Sequence, residues 1–308
     1  MSRTGIASIG ECMLELSGRS GSQWHMGFAG DTFNTLWALT ALCDGRPATY
    51  VSAFGDDPFS RDQIAFFREN GVGIGASPII PGARPGLYAI TLTGAERSFT
   101  YWRSDAAARR LASDPAALAK NLEGQKLVYF SGITLGILDA EAREVLLRAV
   151  GNARAAGSLI AFDPNYRPGL WRDRAEAQAA VAAALAVVDI ALPTFPDEQA
   201  LFGDANPQAT VERLTRQVGE VVVKNGEAPA LVAAPGGAQQ VPAVHVADPV
   251  DTTGAGDSFN GGYLAARLAG HEPAEAARRA HRVAAAVVQV RGALAPFEVL
   301  RAAFAARP

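Results

Sequence analysis

Only two cysteines, Cys12 and Cys43, occur in 308 residues. That is too few for a disulfide framework, and a reducing cytoplasm is the expected setting. Blocks of like charge are missing and the net charge is only −3, which argues against nucleic acid or a membrane surface as the main partner. No apolar run approaches membrane length, and Met1-Ser-Arg-Thr-Gly5 leads into a strand-like run rather than a signal-peptide core. Two nucleotide motifs are absent as well. There is no Gly-x-x-x-x-Gly-Lys-Ser/Thr, and no Gly-x-Gly-x-x-Gly follows the first strand, which speaks against a P-loop NTPase and a dinucleotide-binding Rossmann enzyme. No repeat or low-complexity linker interrupts the chain.

What is present describes a globular protein with ample core: 49% of residues are hydrophobic and 19% charged. Length alone allows one large α/β domain with insertions or two domains. From Gln125 onward, strand-like runs (127–131, 158–163, 187–192, 220–224) alternate with helical ones (139–155, 174–186, 207–218). Further helices follow Gly254 and Pro273, and one lies near the C-terminus. Continuous apolar strands in such alternation predict a mostly parallel sheet covered on both faces, with ligands beyond the carboxyl ends of its strands. Before that point a strand at 5–10, a helix at 31–43, a strand at 49–54 and a helix ending near Asn70 obey the same scheme. Strand-rich pieces near 12–28 and 76–103 do not. They are expected to form a small second sheet, a lid, with a hairpin turn at Thr93-Gly-Ala-Glu96.

The stretch Asp251-Thr-Thr-Gly-Ala-Gly-Asp-Ser-Phe-Asn260 carries the chemistry. A polar turn with Gly254 and Gly256 runs into a small-residue apolar helix, so that Ala255 and its neighbours offer backbone N–H groups to an anion at a helix start. Asp257, one residue beyond, suits a base that takes a proton from a hydroxyl while the amides stabilise a transferred group. The alternative is a plain glycine-rich loop with Asp257 as helix N-cap. In the lid run, Phe99, Tyr101 and Arg103 share one face of a strand, and Tyr88 of the preceding strand can join them. Arg103 between tyrosines, with Arg167 in Asp163-Pro-Asn-Tyr-Arg-Pro168, is a plausible pair of carboxylate clamps. The alternative pairs Arg103 with Asp105 and Arg167 with Asp163.

Asp251 to Asp257 resembles the C-terminal signature of the ribokinase-like (PfkB) carbohydrate kinases, and the likeness extends over nearly the whole chain. It implies a ribokinase-like three-layer α/β/α sandwich, a single domain over 1–308, with Asp257 as the base. Ala29-Gly-Asp-Thr-Phe-Asn34 resembles the N-terminal Gly-Gly-x-x-x-Asn stretch of that family, with Ala29 for the first glycine. By that resemblance Gly30, Asp31 and Asn34 meet sugar hydroxyls, although Asp31 alone reads as an N-cap. Val221-Val-Val-Lys-Asn-Gly226 resembles the family's nucleotide edge, bringing Lys224 and Gly226 to the phosphates of ATP. Thr194-Phe-Pro-Asp197 occupies the place of an Asn-x-x-Glu element that arranges Mg²⁺-bound water, so Thr194 faces nucleotide and Asp197 the metal indirectly. His281 and Gln289 fall in the helix that walls the adenine pocket in the family; a solvent-facing or merely packed histidine is the alternative. A potassium-type ion near Asp251 and Thr253 is known in relatives.

Within the family, Glu96 to Arg103 and Asp163 to Pro168 resemble the kinases of 2-keto-3-deoxygluconate (2-dehydro-3-deoxygluconate). The expected activity is therefore ATP-dependent phosphorylation of that sugar acid at its terminal hydroxyl, giving the 6-phosphate, with Arg103 and Arg167 on the acid end and Tyr88 and Tyr101 supporting. A kinase of a neutral sugar or nucleoside, fructose first, is the second reading. A sugar-sensing binding protein on the same fold is the third. A homo-oligomer assembled through the lid edge is also expected.

Overall fold

The computed structural model describes residues 3–93 and 96–306. Along the strand Gln125–Ser131 the period of two sends Leu127 and Tyr129 to one hydrophobic cluster and Val128 and Phe130 to the other. A strand buried on both sides needs helices on both sides, and they are there. Leu36, Tyr263, Val283 and Leu300 bring the helices Asp31–Leu42, Ala255–Leu268, Pro273–Val287 and Phe297–Ala305 onto one face. Leu118, Leu146, Val181 and Val211 bring Pro115–Leu122, Ala140–Ala155, Arg174–Leu185 and Pro207–Leu214 onto the other. The result is the expected three-layer α/β/α sandwich. Asp57, Asp114, Asp139 and Asp173 each cap a helix by accepting first-turn amides, which sets where those helices begin.

Among the described residues the central sheet has nine strands. In spatial order they are Gly237–Val241, Ala230–Ala234, Glu220–Val223, Ile190–Ala191, Leu159–Asp163, Gln125–Ser131, Gly5–Ile9, Ala48–Val51 and Val72–Gly73. Every pairing from Val72–Gly73 to Glu220–Val223 is parallel. The last two strands add on antiparallel, and the sequence pattern did not reveal them. The run 187–192 contributes only Ile190–Ala191 as strand, and the helix expected over 207–218 ends at Leu214.

The smaller sheet has the order Gln23–Ala29, Met13–Ser20, Leu87–Thr93, Glu96–Trp102. Thr93 pairs with Glu96 at the closed end of the last hairpin; Gly94 and Ala95 of the expected turn lie outside the described residues. Of the piece 76–103, Ile79–Ile80 does not join this sheet but pairs with Phe54–Gly55 separately.

Candidate active site

The parallel strands end together at Ile9, Ser131, Asp163, Ala191 and Val223, so the loops that follow them share one edge of the sheet. Asp257 meets this edge from the start of helix Ala255–Leu268. The N-cap of that helix is Gly254, not Asp257, in a left-handed conformation (φ 74°) with no side chain capping it. A Cβ at Gly254 would also come within 2.8 Å of Ala293 Cβ. At Gly256 the space is open, the nearest atom to an added Cβ being Lys224 Nζ at 4.0 Å. First-turn amides without a side-chain acceptor, beside open space and a lysine, form a cradle for an anion.

The Asp257 carboxylate accepts a hydrogen bond from Asn34 Nδ2 at 2.8 Å, and Thr35 Oγ1 donates to its main-chain oxygen at 3.2 Å. Burial, then repulsion from Asp31, push its pKa up to about 7, against the Asn34 bond and the charge of Lys224. Beneath it lies a buried network. Asp163 Oδ2 accepts from Lys224 Nζ (2.6 Å) and Asn260 Nδ2 (2.7 Å), and Lys224 donates again to Asn260 Oδ1 at 2.9 Å. Asn260 Nδ2 also reaches the Tyr129 hydroxyl. Asp163 Oδ1 accepts the amide of Asn165, whose side chain donates to Asp31 Oδ2 at 2.8 Å. Among the described residues Asn165 is the one non-glycine with positive φ (34°). That backbone turn lets one residue tie Asp163, through its main-chain N–H, to Asp31, through its side chain.

Gly30 caps the helix that carries Asp31 and Asn34, so Asp31 is not its N-cap. The fold itself requires the glycine: a Cβ there would lie 2.1 Å from the carbonyl oxygen of Glu11. Glu11 continues the site toward the smaller sheet. Its buried carboxylate pairs with Arg103 Nη2, and the buried Glu15 carboxylate accepts from the Tyr88 hydroxyl. Burial raises the pKa of Glu11 even so, with Arg103 opposing. The rings of Tyr88, Phe99 and Tyr101 lie within 6.3 Å of one another, and the Arg103 guanidinium sits 5.7 Å from the Tyr101 ring centre. Arg103 is thus not paired with Asp105, which bonds Arg84. A cleft of about 430 Å³ opens here, lined by residues 101–105 and Arg109, Asp105 among them, and by Gly136, Gly169 and Leu170. Arg167, two residues from Gly169, is half exposed and pairs with Asp197 at 3.1 Å, not with Asp163.

Residues 3–300 match the profile of the pfkB family carbohydrate kinases. The chain belongs to that family. It is 41% identical to the 2-dehydro-3-deoxygluconokinase of Dickeya dadantii (strain 3937), over 98% of this chain and all of that one. It is equally similar to the enzyme of that name from Escherichia coli (strain K12), over 96% and 99% of the two chains. Among solved structures, a putative Ribokinase II from E. coli in complex with ATP and Mg²⁺ superposes with TM-score 0.84 at 25% identity, covering 97% of this chain and 98% of that one.

Of the residues expected on the nucleotide side of this PfkB kinase, the structure brings Thr194, Lys224 and Gly256 together. Thr194 bridges Lys224 as a parallel pair, and Gly226 forms an exposed left-handed turn two residues on. Lys224 is not a free strand-end lysine, because Asp163 and Asn260 already hold it. His281 is packed, not solvent-facing: it lies edge-on to Phe259 at 4.9 Å, and burial drives its pKa down to about 4. Gln289 is exposed just past its helix and bonds the carbonyl of Ala285. Asp251 closes the neighbouring loop, its two oxygens accepting the amides of Thr253 and Gly292. Among the described residues no cluster of three His, Cys, Asp or Glu suited to a metal occurs. A Mg²⁺ carried on ATP phosphates fits such a site, since it keeps its water and needs one or two carboxylates rather than a cage; Asp197, paired with Arg167, is the carboxylate expected to face it through water. Among the described residues no helix is long and apolar enough to cross a membrane.

The sequence assigns no role to Asn165, Asn260, Glu11 or Glu15, and to Asp163 only that of an alternative partner for Arg167. Asn260 had a local signal, standing one helical turn after Asp257 on the same helix. Glu15 alternates with the apolar Leu14 and Leu16 on the strand Met13–Ser20, a pattern that marks a face but not the partner, while Glu11 lies in the loop before that strand and has no such signal.

Proposed function

We propose that this chain transfers the γ-phosphoryl group of ATP to the terminal hydroxyl of 2-dehydro-3-deoxygluconate, giving the 6-phosphate. The observation that carries the reaction is Asp257: a carboxylate with its pKa raised to about 7, held by Asn34 at the uncapped start of a glycine-rich helix turn. A base of that pKa is poised to act near neutral pH. Asp257 takes the proton of the hydroxyl as its oxygen attacks the γ-phosphorus in line. The amides after Gly254 stabilise charge on the migrating group. Mg²⁺ neutralises charge on the phosphates when bound. Asp31, Asn34 and Gly30 hold the sugar beside the base, and Arg103, Arg167, Tyr88 and Tyr101 face the acid end. The sugar acid is supported by the two 41%-identical relatives that carry that name.

A panel assay coupling ADP formation to sugar supply tests this. Turnover of 2-dehydro-3-deoxygluconate far above that of fructose, ribose or gluconate is expected; a preference for fructose would overturn the substrate, and ATP binding without turnover the enzyme. The reading further includes a potassium-type ion near Asp251 and Thr253, checked by exchanging potassium for choline. It includes a cytoplasmic setting, to which two unpaired cysteines are suited. It also includes a homo-oligomer through the small sheet, where Met26, Phe99, Tyr101 and Trp102 are exposed. Light scattering checks that assembly.

A further inference from the structure

An acid sugar needs positive charge that is not already spent, and the expected arginines do not supply it. Arg103 is balanced by Glu11, Arg167 by Asp197 and Arg84 by Asp105. Each such pair is close to neutral at a distance, so an approaching carboxylate gains little from it until a bond is exchanged. Arg109 differs. It lines the same cleft as Arg103 and Tyr101, it is exposed, and among the described residues no carboxylate or hydrogen bond engages its guanidinium. Its backbone is fixed by the turn of 3₁₀ helix Ala107–Arg110, which Ala107 anchors through a hydrogen bond to the carbonyl of Arg84. Its charge also reaches the buried Glu11 carboxylate, whose pKa burial raises while Arg103 and then Arg109 oppose the rise.

We infer that Arg109 is a specificity-determining residue of the sugar site, supplying the unbalanced positive charge that selects an anionic substrate. The inference rests on the sugar-acid reading above and adds a residue to it. The carboxylate end of the substrate enters the cleft between Arg109 and Gly169, gains Arg109 as a water-facing partner, and then shares Arg103 with Glu11. Because Arg109 acts on the incoming charge and not on the reacting hydroxyl, it should move KM and leave kcat alone.

The experiment compares wild type, Arg109→Ala, Arg109→Lys and Arg103→Ala with 2-dehydro-3-deoxygluconate and with the best neutral sugar of the panel, at low and high salt. Arg109→Ala should raise KM for the acid sugar roughly tenfold, the size of a charge-assisted hydrogen bond partly screened by water. Its kcat, its KM for ATP and its KM for the neutral sugar should stay unchanged. Arg109→Lys should recover most of the loss, and the salt dependence of kcat/KM should flatten in Arg109→Ala. An unchanged KM for the acid sugar in Arg109→Ala, while Arg103→Ala raises it, overturns the role of Arg109 and leaves the sugar-acid reading standing. A wild-type enzyme that ignores the acid sugar overturns that reading, and the inference falls with it. An equal rise in KM for acid and neutral sugars overturns the inference too, because charge selection requires a difference.

Discussion

Lys224, in the buried floor of side chains beneath Asp257, has 9% of its side chain exposed and is held by Asp163 and Asn260, whereas Arg167, on the exposed rim beyond the strand ends, has 51% exposed and a single carboxylate partner. Both are cations paired with aspartates. The floor version cannot be altered without leaving a charge stranded in low dielectric, and the rim version exchanges partners freely with water. Chemistry needs the first property, because the base must be held at one height above the amide cradle. Substrate choice needs the second, because an incoming carboxylate has to displace or share an existing partner.

The largest expected effect breaks the floor at its reactive group. Asp257→Asn keeps the shape and the neighbours but removes the base, and kcat should fall by about 10²–10⁴-fold while ATP binding, read by calorimetry, persists. Near-normal turnover would remove Asp257 from the reaction. In the wild type, kcat/KM should lose about tenfold per unit as pH falls below the Asp257 pKa of about 7, because only the ionised carboxylate accepts a proton. Stability moves the other way. The carboxyl is raised from 3.8, so its favourable contribution is complete below that value and is lost as pH rises through about 7. Asp257→Asn should therefore gain on wild type in unfolding free energy between those limits.

Next in size is the buried ion pair. Lys224→Met leaves Asp163, at 3% exposure, without its cation. Removing one partner of a buried pair typically costs about 3–5 kcal/mol, so urea unfolding should shift strongly. Lys224→Met with Asp163→Asn should recover part of it. If Lys224→Met unfolds like wild type, the network below Asp257 does not hold the floor together.

Smaller still is the rim residue with a buried anchor. Arg103→Ala should weaken binding of the sugar acid by about 1.5–3 kcal/mol, the range for a hydrogen bond to a charged group, with kcat little changed. It also strands Glu11, which is 2% exposed, so a modest loss of stability should accompany it. Unaltered affinity for the sugar acid would show that Arg103 serves Glu11 and the fold alone.

The same contrast explains what could be read from the sequence. The 251–260 stretch was legible because its parts are neighbours in the chain: turn glycines, helix start and aspartate act within one helical turn. The strand–helix alternation was legible because burial on both faces writes a continuous apolar run. The network was not, since Lys224 meets Asp163 and Asn260, and Asn34 meets Asp257, across separations of 36 to 223 residues. Glu11 reads as a loop carboxylate until Arg103, 92 residues on, is folded against it. The edge strand Gly237–Val241 escaped because its Gly-Ala-Gln-Gln-Val lacks the apolar run of an interior strand, and four of its five residues are exposed. The sequence shows two arginines, Arg103 and Arg167, but not that Glu11 and Asp197 balance them, because pairing is a property of the fold alone.

The smallest expected effect tests the rim directly. Arg167→Ala removes a half-exposed ion pair with Asp197, and such pairs contribute about 0–1 kcal/mol, so urea unfolding should barely move. Binding should still suffer, though less than in Arg103→Ala, because water screens Arg167 and no buried carboxylate fixes its rotamer. Asp197 is the more interesting consequence. Burial already raises its pKa and Arg167 is the largest opposing influence, so the variant should carry more neutral Asp197 at mildly acid pH and need more Mg²⁺ there than wild type. A magnesium titration of activity at pH 6 and pH 8 reads this out: a gap confined to the lower pH is expected. An Arg167→Ala protein destabilised as much as Lys224→Met would erase the distinction between floor and rim, because it would mean that the exposed pair, like the buried one, is part of what holds the strand ends in place.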